Sequence, residues 1–446
     1  MKQISKRQWI NFSIWAVIYI LFAIWMENLW LLFGLIVIVD IFLTKYIPWG
    51  GWKKSKNPKV RETLEWIDDV LFALIAVYII NLFVFQNYQI PTSSLEKSLL
   101  VGDYLFVSKL SFGPRVPNTP LSFPLVQNTM PILNCKSYIE WPEWGYKRVK
   151  GLGTVKRYDI VVFNFPAGDT IALYAQNPDF YNLVEIYGRE NIIANKAKFG
   201  EVMYRPVDKR ENYVKRCIGM PGDTLSVIDN QVYINGVEAY NPENLQFNYY
   251  VETDGSVLTE DQFGMLGINK SDRALVSMNP MVYCLPMTKK AVEMVKRIPT
   301  VKQVRIEPDD LRGTTYPTGY RTGWTRDNFG PIWIPKKGET ISLDERNLAI
   351  YHRCIRNYEN NTLEVFPDGK ILINGKPETS YTFKYDYYFM MGDNRHNSAD
   401  SRAWGFVPED HIVGKPILIW LSLEKDRGLF NGGIRWNRMF RMVHAN

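Results

Sequence analysis

Three long apolar segments near the start of the chain restrict its possible folds more than any other feature of the sequence. They cover residues 9–26, 29–44 and 70–85, and charged residues are almost absent from them. At about 1.5 Å per residue, each falls slightly short of a hydrocarbon core of about 30 Å, so flanking residues or a thin bilayer must complete the span. Buried helices of a soluble core are the alternative, but three such segments so close together favour three membrane spans.

Basic residues beside these segments indicate the orientation of the chain. Lys2, Lys6 and Arg7 precede the first segment, and Glu27 is the one charged residue between the first and the second. A stretch without acidic residues follows the second segment and contains Lys45, Lys53, Lys54, Lys56, Lys59 and Arg61. Because basic loops tend to remain in the cytoplasm, we expect the N-terminus and this loop inside and everything after residue 85 outside.

The predicted anchor is a transmembrane helical hairpin over 1–47, a cytoplasmic basic loop over 48–66 and a third transmembrane helix over 67–87. A cleaved signal peptide is another interpretation of the first segment, but its length and the apolar run that follows favour an uncleaved anchor. Asp40 and Asn81 interrupt the apolar segments, and we expect them at helix contacts or at the membrane surface. The predicted location is the inner (cytoplasmic) membrane, in a multi-pass arrangement.

The chain beyond the third segment is predicted to be mainly β. Short β-type runs lie between turns of Gly, Pro, Asn and Asp, as in "TLSVIDNQVYING" and "LEVFPDGKILING", which are typical of hairpins. The sequence predicts helices at 177–190 and 286–299. Residues 88–425 form an extracytoplasmic β-rich domain with an insert around 240–335. A basic–aromatic tail, 426–446, either lies on the membrane or is solvated.

Charge and cysteine content exclude other functions. The net charge of +7 is small for 446 residues, so we expect no nucleic-acid partner. Four cysteines, Cys135, Cys217, Cys284 and Cys354, lie in the exported part, where disulfides are possible, and their pairing stays open. The sequence has no C-x-x-C or Cys/His spacing typical of metal sites, so we expect neither a metal nor another cofactor.

A weak internal repeat relates two parts of the exported domain. "YVKRCIGMPGDTLSVIDNQVYING" (213–236) and "IYHRCIRNYENNTLEVFPDGKILING" (350–375) share Arg-Cys-Ile, Thr-Leu-x-Val and Ile-Asn-Gly. Two similar hairpins and a true duplication explain the likeness equally well. Lys215 in the first copy is matched by His352 in the second, and we expect His352 to be structural.

Three polar stretches of the exported domain could carry chemistry. They are "IPTSSLEKSLLVGDY" (90–104), "YVKRCIGMPGD" (213–223) and "GDNRHNSADSRAWGFVPE" (392–409). Together with "KRYDIVVFNFP" (156–166), and in this order, they resemble the motifs of bacterial type I signal peptidases (leader peptidases), membrane serine proteases that remove signal peptides. The resemblance covers the third apolar segment and the exported domain, and it implies a coiled β-sheet catalytic domain outside the membrane.

The resemblance also implies roles for individual residues. It makes Ser94 the nucleophile, Lys215 the general base and Ser398 a serine that hydrogen-bonds the lysine. It places the oxyanion hole at Thr92 and at the Ser94 N–H. The supporting acids and arginines are Asp393, Asp400, Arg402 and Arg216. Two departures from the family pattern are the missing proline after the nucleophile and His396 in place of an aspartate.

The residues support this chemistry independently of the family. A serine nucleophile needs an adjacent base, and a lysine can serve when burial among apolar groups keeps it neutral. Lys215 follows Val214, whereas Lys97 lies beside Glu96, which would keep it charged. Ser94 and Lys97 also fit the S-x-x-K pattern of penicillin-binding proteins and β-lactamases, but the S-D-N and K-T-G partners of that pattern are absent from the sequence.

The predicted function is that of a membrane-bound signal peptidase that cuts exported preproteins after a small-x-small site through a Ser-Lys acyl-enzyme. We expect the cleavage site to bind as an added β-strand, and apolar residues near Leu95 and Phe106 to enter the lipid surface. The alternatives are a degenerate, non-enzymatic membrane scaffold of the same fold and a Ser-Lys self-cleaving regulator, which the membrane spans disfavour. A Ser-His-Asp triad has less support, because His396 is the one histidine inside a motif.

Overall fold

The computed structural model describes residues 4–49, 51, 56–133, 135–166, 170–175, 179–309, 315–424, 428 and 432–444. The chain forms two compact units. One comprises Met1–Gln86 and Lys109–Thr154, and the other comprises Asn87–Ser108 and Val155–Asn446. This division differs from the expected one, because residues 109–154 group with the apolar helices rather than with the β-rich domain.

The second unit is mainly β, as predicted.

The described helices of the whole chain are α1 (Lys6–Trp25), α2 (Leu35–Val39), α3 (Pro58–Phe83), α4 (Phe180–Tyr187), α5 (Arg189–Ala194), α6 (Lys196–Phe199), α7 (Glu260–Leu266), α8 (Lys289–Val295), α9 (Glu345–Arg353) and α10 (Ser401–Trp404). The first twelve described strands are β1 (Phe85–Gln89), β2 (Asp103–Ser108), β3 (Ile160–Asn164), β4 (Thr170–Ala172), β5 (Val202–Tyr204), β6 (Asn212–Gly219), β7 (Thr224–Ile228), β8 (Gln231–Ile234), β9 (Val237–Glu238), β10 (Gln246–Thr253), β11 (Ala274–Met278) and β12 (Met281–Thr288). The others are β13 (Val301–Ile306), β14 (Phe329–Trp333), β15 (Thr340–Ser342), β16 (Leu363–Val365), β17 (Ile371–Ile373), β18 (Lys376–Pro377), β19 (Ser380–Thr382), β20 (Tyr387–Met391), β21 (Val407–Pro408), β22 (Ile412–Ser422) and β23 (Arg441–Met442).

Two helices of the first unit, α1 and α3, are long and apolar enough to cross a membrane. α1 begins after Ser5, whose side chain accepts the Gln8 N–H in a capping box. α3 begins after Asn57, which caps the helix, with Pro58 at the first helical position. The helix therefore includes residues 58–66, which were expected in the cytoplasmic loop. Capping chemistry rather than hydropathy sets where this helix begins.

The second apolar segment, Leu29–Thr44, is not a continuous α-helix. A 3-10 helix over Leu29–Gly34 leads into α2 and then into a π-helix over Asp40–Thr44. The Asp40 carboxylate accepts the N–H groups of Tyr46 and Ile47 at 2.8 and 3.1 Å. Asp40 thus satisfies backbone donors where the segment ends, which explains an acidic residue in an apolar run.

The second unit is built on an eight-stranded sheet with the order β1-β2-β22-β3-β6-β20-β21, and β23 pairs with β22 outside this path. β6 lies between β3 and β20, and both pairings are antiparallel. Lys215 lies opposite Val161, and Arg216 lies opposite Met391. The sheet therefore places the lysine motif in its interior, where β6 is buried from Lys215 onward.

A separate four-stranded sheet, in the order β11-β12-β10-β13, occupies much of the predicted insert. With α7 and α8 it encloses its own apolar core, which includes Val251, Leu285 and Val295. Its first strand begins against the polar 392–409 stretch, because the Gln246 N–H donates to the Asp393 carbonyl oxygen at 2.9 Å. The insert is therefore joined to this stretch through the main chain.

The hairpins of the internal repeat are confirmed, whereas the segments before them differ. β7–β8 and β16–β17 are antiparallel, and each is followed by a short third strand. Asn235 and Asn374 lie in the turns that lead to these third strands, at φ of 53° and 52°, and their amide oxygens accept the N–H groups of Thr224 and Thr362. Arg-Cys-Ile lies in β6 in one copy and at the end of α9 in the other. The likeness is therefore confined to the hairpins.

The two predicted helices are present but shorter than expected. Residues 177–190 contain α4, which Gly188 ends, and residues 177 and 178 lie outside the described residues. Within 286–299, α8 begins after Thr288, whose side chain accepts the Ala291 N–H. Pro286 belongs to β12, opposite Asn248.

The described part of the tail packs against the β-rich unit. Arg438 pairs with Asp103 at 2.6 Å, and Arg435 donates to the Leu423 carbonyl oxygen at 2.6 Å. Trp436 and Phe440 remain exposed. Two of the three arginines in the described part of the tail therefore bind the domain, in contrast to a free solvated tail.

Candidate active site

The loop after β1 presents Ser94 from a short 3-10 helix, Ser93–Leu95. Leu95 and Leu99 hold this turn in the apolar core of the sheet. The Ser94 carbonyl oxygen accepts the Asn394 N–H at 3.0 Å. Ser94 is the second residue of the turn, so its own N–H has no partner within it.

The expectation that residues near Leu95 enter the lipid is wrong for Leu95 itself. Its side chain is only 1% exposed, and it packs in the same cluster as Ile90 and Leu105. Phe106 is half-buried and stacks on Trp420, with 5.9 Å between the ring centroids. Leu95 therefore serves to anchor the serine loop.

Lys215 reaches Ser94 from the interior of the main sheet. Its Nζ lies 2.8 Å from Ser94 Oγ and 3.1 Å from the Val214 carbonyl oxygen. The Tyr213 ring centroid is 5.6 Å from the same nitrogen. Ser94 and Lys215 are each 5% exposed, so bulk water has little access to the pair.

Burial lowers the pKa of Lys215 to about 8, because desolvation disfavours the charged ammonium. Asp400 and Asp393 act in the opposite direction by stabilising the positive charge. The effect of burial is the larger one, so much of Lys215 is neutral near pH 8. A neutral amine 2.8 Å from a hydroxyl is placed to accept its proton.

Two buried ion pairs brace the segment that follows β20. Arg216 holds Asp393 through hydrogen bonds of 2.8 and 2.7 Å, and Arg402 holds Asp400 through bonds of 3.0 and 2.9 Å. Burial alone would raise the pKa of Asp400, but the adjacent Arg402 outweighs burial and lowers that pKa to about 2. Asp400 therefore stays ionised and keeps its influence on Lys215.

Ser398 and Thr92 both lie at the site, but neither side chain forms a hydrogen bond there within the described part of the chain. Ser398 is buried, yet its hydroxyl has no hydrogen-bond partner among the described residues, so the expected bond to Lys215 is not formed. It packs at Gly392, where an added Cβ would meet Ser398 Oγ at 2.3 Å and the Ser94 carbonyl oxygen at 2.7 Å. Thr92 is exposed just before the 3-10 helix and caps it with no side-chain hydrogen bond.

Lys97, the competing lysine, binds the insert rather than Ser94. Its Nζ donates to the Gly267 carbonyl oxygen, just beyond α7. Glu96 also faces the insert, where its Oε1 accepts the Asn269 amide at 3.3 Å, and burial raises the pKa of its carboxyl group. Sequence reasoning missed both contacts, because no local pattern joins residues about 170 positions apart.

His396 joins the insert to the 392–409 stretch. Its Nδ1 accepts the Asn248 N–H at 3.0 Å, so the neutral ring carries its proton on Nε2. Nε2 lies 3.4 Å from an Asp327 oxygen, and Nδ1 lies 3.7 Å from a Glu307 oxygen. His352 lies on α9, where burial lowers its pKa. Neither histidine hydrogen-bonds Ser94 among the described residues.

The remaining candidate metal and redox groups are dispersed. In the described ranges, no three or more His, Cys, Asp or Glu side chains are grouped in a way that could hold a metal ion. All four cysteines are free, with Cys217 and Cys354 buried and Cys135 exposed.

Comparison with known proteins adds an independent observation. The model of the family described as "Signal peptidase, peptidase S26" matches residues 63–272 and 334–421, more than half of the chain. The chain belongs to this family.

Similar proteins span most of the same length. A signal peptidase I of Haemophilus influenzae is 24% identical over 397 residues, which is 88% of this chain and 79% of the relative. Another, from Buchnera aphidicola subsp. Baizongia pistaciae, is 23% identical over 401 residues, or 89% of each chain. A third, from Pseudomonas aeruginosa, is 21% identical over 381 residues, covering 83% of this chain and 75% of its own.

The match to the peptidase S26 family is interrupted at residues 273–333, within the insert. β11, β12, α8, β13 and β14 fall in this interruption, whereas β10 and α7 precede it. Gln246, which contacts the Asp393 backbone, and Asn269, which contacts Glu96, therefore lie inside the matched region.

Proposed function

We propose that this chain is a membrane-bound signal peptidase that hydrolyses the peptide bond after a small-x-small site, with Ser94 as nucleophile and Lys215 as general base. The observation that carries the proposal is the 2.8 Å separation of Lys215 Nζ and Ser94 Oγ in a buried site. Membership of the S26 family supports a peptidase, and the relatives above bear the name signal peptidase I. The chemistry requires no metal or cofactor.

The first half of the reaction forms an acyl-enzyme. Neutral Lys215 takes the hydroxyl proton of Ser94 while Oγ attacks the carbonyl carbon of the scissile bond. The oxyanion that develops accepts hydrogen bonds from the Ser94 N–H and the Thr92 hydroxyl. Lys215, now an ammonium, gives its proton to the leaving nitrogen, the C–N bond breaks, and the mature chain departs with a free N-terminus.

The second half hydrolyses the Ser94 ester. A water molecule gives a proton to Lys215 and attacks the ester carbonyl carbon. Collapse of this second tetrahedral species returns the proton to Ser94 Oγ. The signal peptide leaves with a new C-terminal carboxylate, and the neutral lysine is restored.

The ion-paired residues act by positioning. Asp393 and Arg216 tie the segment after β20 to β6, the strand that carries Lys215. Asp400 accepts the Gly392 N–H at 3.1 Å and is itself held by Arg402. Ser398, which packs at Gly392 and whose hydroxyl is unbonded among the described residues, is available to hydrogen-bond the lysine ammonium during turnover.

The membrane arrangement supports this substrate class. α1 and α3 are two apolar helices suited to anchoring the chain. In the segment after β2, the Lys147 ammonium donates to the Met26 carbonyl oxygen at 2.8 Å. That bond supports a turn after α1 on the same side as the exported segment. We infer a multi-pass protein of the cytoplasmic membrane whose catalytic unit meets preproteins at the outer face of the bilayer.

The proposal is tested by incubating the full-length protein, in detergent or in vesicles, with a precursor that carries an apolar segment and a small-x-small site. We expect one cut after that site, identified by mass spectrometry of both products. The Ser94→Ala variant should make no cut. No cleavage by a folded parent protein would favour the alternative of a degenerate, non-enzymatic scaffold. Cleavage by Ser94→Ala would instead show that Ser94 is not the nucleophile.

A further inference from the structure

A long uncharged segment of the first unit exposes large apolar side chains. Residues 116–133, here called the uncharged ribbon, contain no Asp, Glu, Lys or Arg. Five of its apolar residues are more than half exposed: Leu121, Phe123, Leu125, Ile132 and Leu133. Clustered apolar exposure of this kind marks an interaction surface rather than an ordinary solvated loop.

The uncharged ribbon is one arm of an antiparallel pair. The Phe123 N–H donates to the Ser137 carbonyl oxygen at 2.7 Å, and the Ile139 N–H donates to that of Leu121 at 2.9 Å. Further along, the Met130 N–H donates to the Cys135 carbonyl oxygen at 2.8 Å. Ile132, which follows Met130 by two positions, is 95% exposed.

The start of the ribbon is attached to α3 below the outer end of that helix. The Tyr78 hydroxyl donates to the Pro120 carbonyl oxygen at 3.2 Å. Tyr78 precedes the last residue of α3, Phe83, by five positions, which is about 8 Å along the helix axis. If α3 crosses the bilayer, Leu121 and Phe123 follow Pro120 at the depth of the outer leaflet.

The segment after the ribbon has the composition of a membrane–water interface. Residues 136–150 combine aromatic and basic side chains: Tyr138, Trp141, Trp144 and Tyr146, with Lys136, Lys147, Arg148 and Lys150. Trp141 is 81% exposed. Aromatic rings and basic groups beside an apolar surface are typical of the headgroup region.

We propose that the uncharged ribbon inserts its apolar side chains into the outer leaflet of the bilayer beside α3. Its open backbone edges cannot enter the hydrocarbon centre, where unpaired N–H and C=O groups have no partner. The side chains therefore enter about 5–10 Å, to the boundary of headgroups and acyl chains. The inference rests on α3 crossing the membrane and is independent of the Ser94 chemistry.

A fluorescence experiment on the full-length protein in phosphatidylcholine vesicles tests the proposal. An environment-sensitive dye is attached to Ile132→Cys in a background with Cys135→Ser and Cys284→Ser. The matched control carries the dye at Asp368→Cys, in the exposed turn between β16 and β17. We expect lipids with a doxyl group at carbon 5 to quench the Ile132 dye at least twofold more than the control dye, and iodide to quench it less.

Each alternative occupant has its own outcome. Equal iodide quenching at the two positions would place the ribbon in water and overturn the proposal. Protection from iodide without doxyl quenching would mean that protein, such as a second copy of the chain, covers the ribbon, and would overturn it as well. A dye at Leu125→Cys repeats the test should Ile132→Cys fail to fold. Failure of the catalytic proposal would appear only in precursor cleavage, so the two are distinguishable.

Discussion

Two lysines lie within reach of the serine loop, and their surroundings differ. Lys215 is buried and hydrogen-bonds Ser94 Oγ, whereas Lys97 is partly exposed and donates to the Gly267 carbonyl oxygen. Burial disfavours the charged ammonium of Lys215 and so allows this amine to act as a base. Reactivity at this site thus follows from environment rather than from closeness in sequence.

Replacing each of the two lysines in a separate variant should distinguish their roles. Lys215→Arg should abolish cleavage, because a guanidinium stays protonated and cannot take the Ser94 proton. Lys97→Ala should keep most of the activity, since it removes the bond to Gly267 and a positive charge near Glu96 but leaves the proposed base in place. Steady-state kinetics on one precursor would measure both. An inactive Lys97→Ala beside an active Lys215→Arg would restore the S-x-x-K interpretation.

The pH dependence of cleavage should report the lysine base. The pKa of Lys215 is lowered to about 8, and only the neutral amine is competent, so kcat/KM should rise with pH and level off above about 8. Below this value it should fall about tenfold per pH unit. An acid limb near pH 6.5 that disappears in His396→Gln would instead indicate a histidine base.

Thr92 should matter to turnover more than to folding. Thr92→Val keeps the shape of the side chain and removes a hydroxyl that caps no helix N–H, so folding should be almost unchanged. If that hydroxyl stabilises the oxyanion, kcat should drop by about 100- to 1,000-fold. Ser93→Ala, which removes the neighbouring hydroxyl, is the matched control and should remain active. Unchanged kcat in Thr92→Val would place the donor elsewhere.

At the scale of elements, the insert supports the catalytic loops on two sides. The residues after α7 hold Glu96 and Lys97, and β10 holds the 392–409 stretch through Gln246 and through His396. His396 accepts a main-chain N–H from β10 and lies close to two acidic side chains. A histidine suits this position because it can accept one hydrogen bond and donate another.

An aspartate at this position, which the resemblance to the signal peptidase motifs implies for the family, should therefore destabilise the chain. In His396→Asp a buried carboxylate would face Asp327 and Glu307, which lie 3.4 and 3.7 Å from the present ring. We expect a loss of about 2–4 kcal/mol, measured as a lower unfolding midpoint in detergent. Adding Asp327→Asn should recover part of it. A midpoint equal to that of the parent protein would show that the acids do not constrain this position.

The sequence predicts the elements that local patterns encode. The Asp-Asn-Gln and Pro-Asp-Gly-Lys turns correctly indicate the β7–β8 and β16–β17 hairpins. Arg-Cys-Ile precedes both hairpins, yet in the second copy it lies at the end of α9, which Asp344 caps. The sheet of the insert was not foreseen, because its register depends on pairs such as Tyr249 with Ile306 that are far apart in sequence.

Among the site residues, motif resemblance indicated the residues that the fold brings together, Ser94 with Lys215 and Asp393 with Arg216. It did not foresee the unbonded hydroxyl of Ser398 or the attachment of Glu96 to Asn269. Rotamer choice and long-range contacts decide these features, and neither is encoded in a short motif.

At the scale of the whole molecule, the anchor is less regular than three equal spans. α1 and α3 are long enough to cross, but the intervening Leu29–Thr44 is shorter and changes from 3-10 to α to π geometry. Asp40 closes this segment and precedes the basic loop. The segment must therefore be completed by flanking residues or by a local thinning of the bilayer if it spans.

Labelling from the two sides of the membrane should decide the topology. Single cysteines placed after residue 47 and after residue 89 should react from opposite sides, with the first accessible from the cytoplasm. Intact and opened membrane vesicles treated with a membrane-impermeant thiol reagent provide the measurement. Reaction of both from the same side would rule out the three-span arrangement.

The main-chain hydrogen bonds that hold the 392–409 stretch to the insert and to the Ser94 loop have a consequence for which substitutions they can tolerate. Two main-chain donors, the N–H groups of Gln246 and Asn394, reach the carbonyl oxygens of Asp393 and Ser94. Every amino acid except proline carries such a donor, so the join does not depend on which side chains occupy positions 246 and 394. Proline is the one replacement that would remove the donor at either position, so it alone would break these two main-chain bonds directly and release the Ser94 loop from the 392–409 stretch.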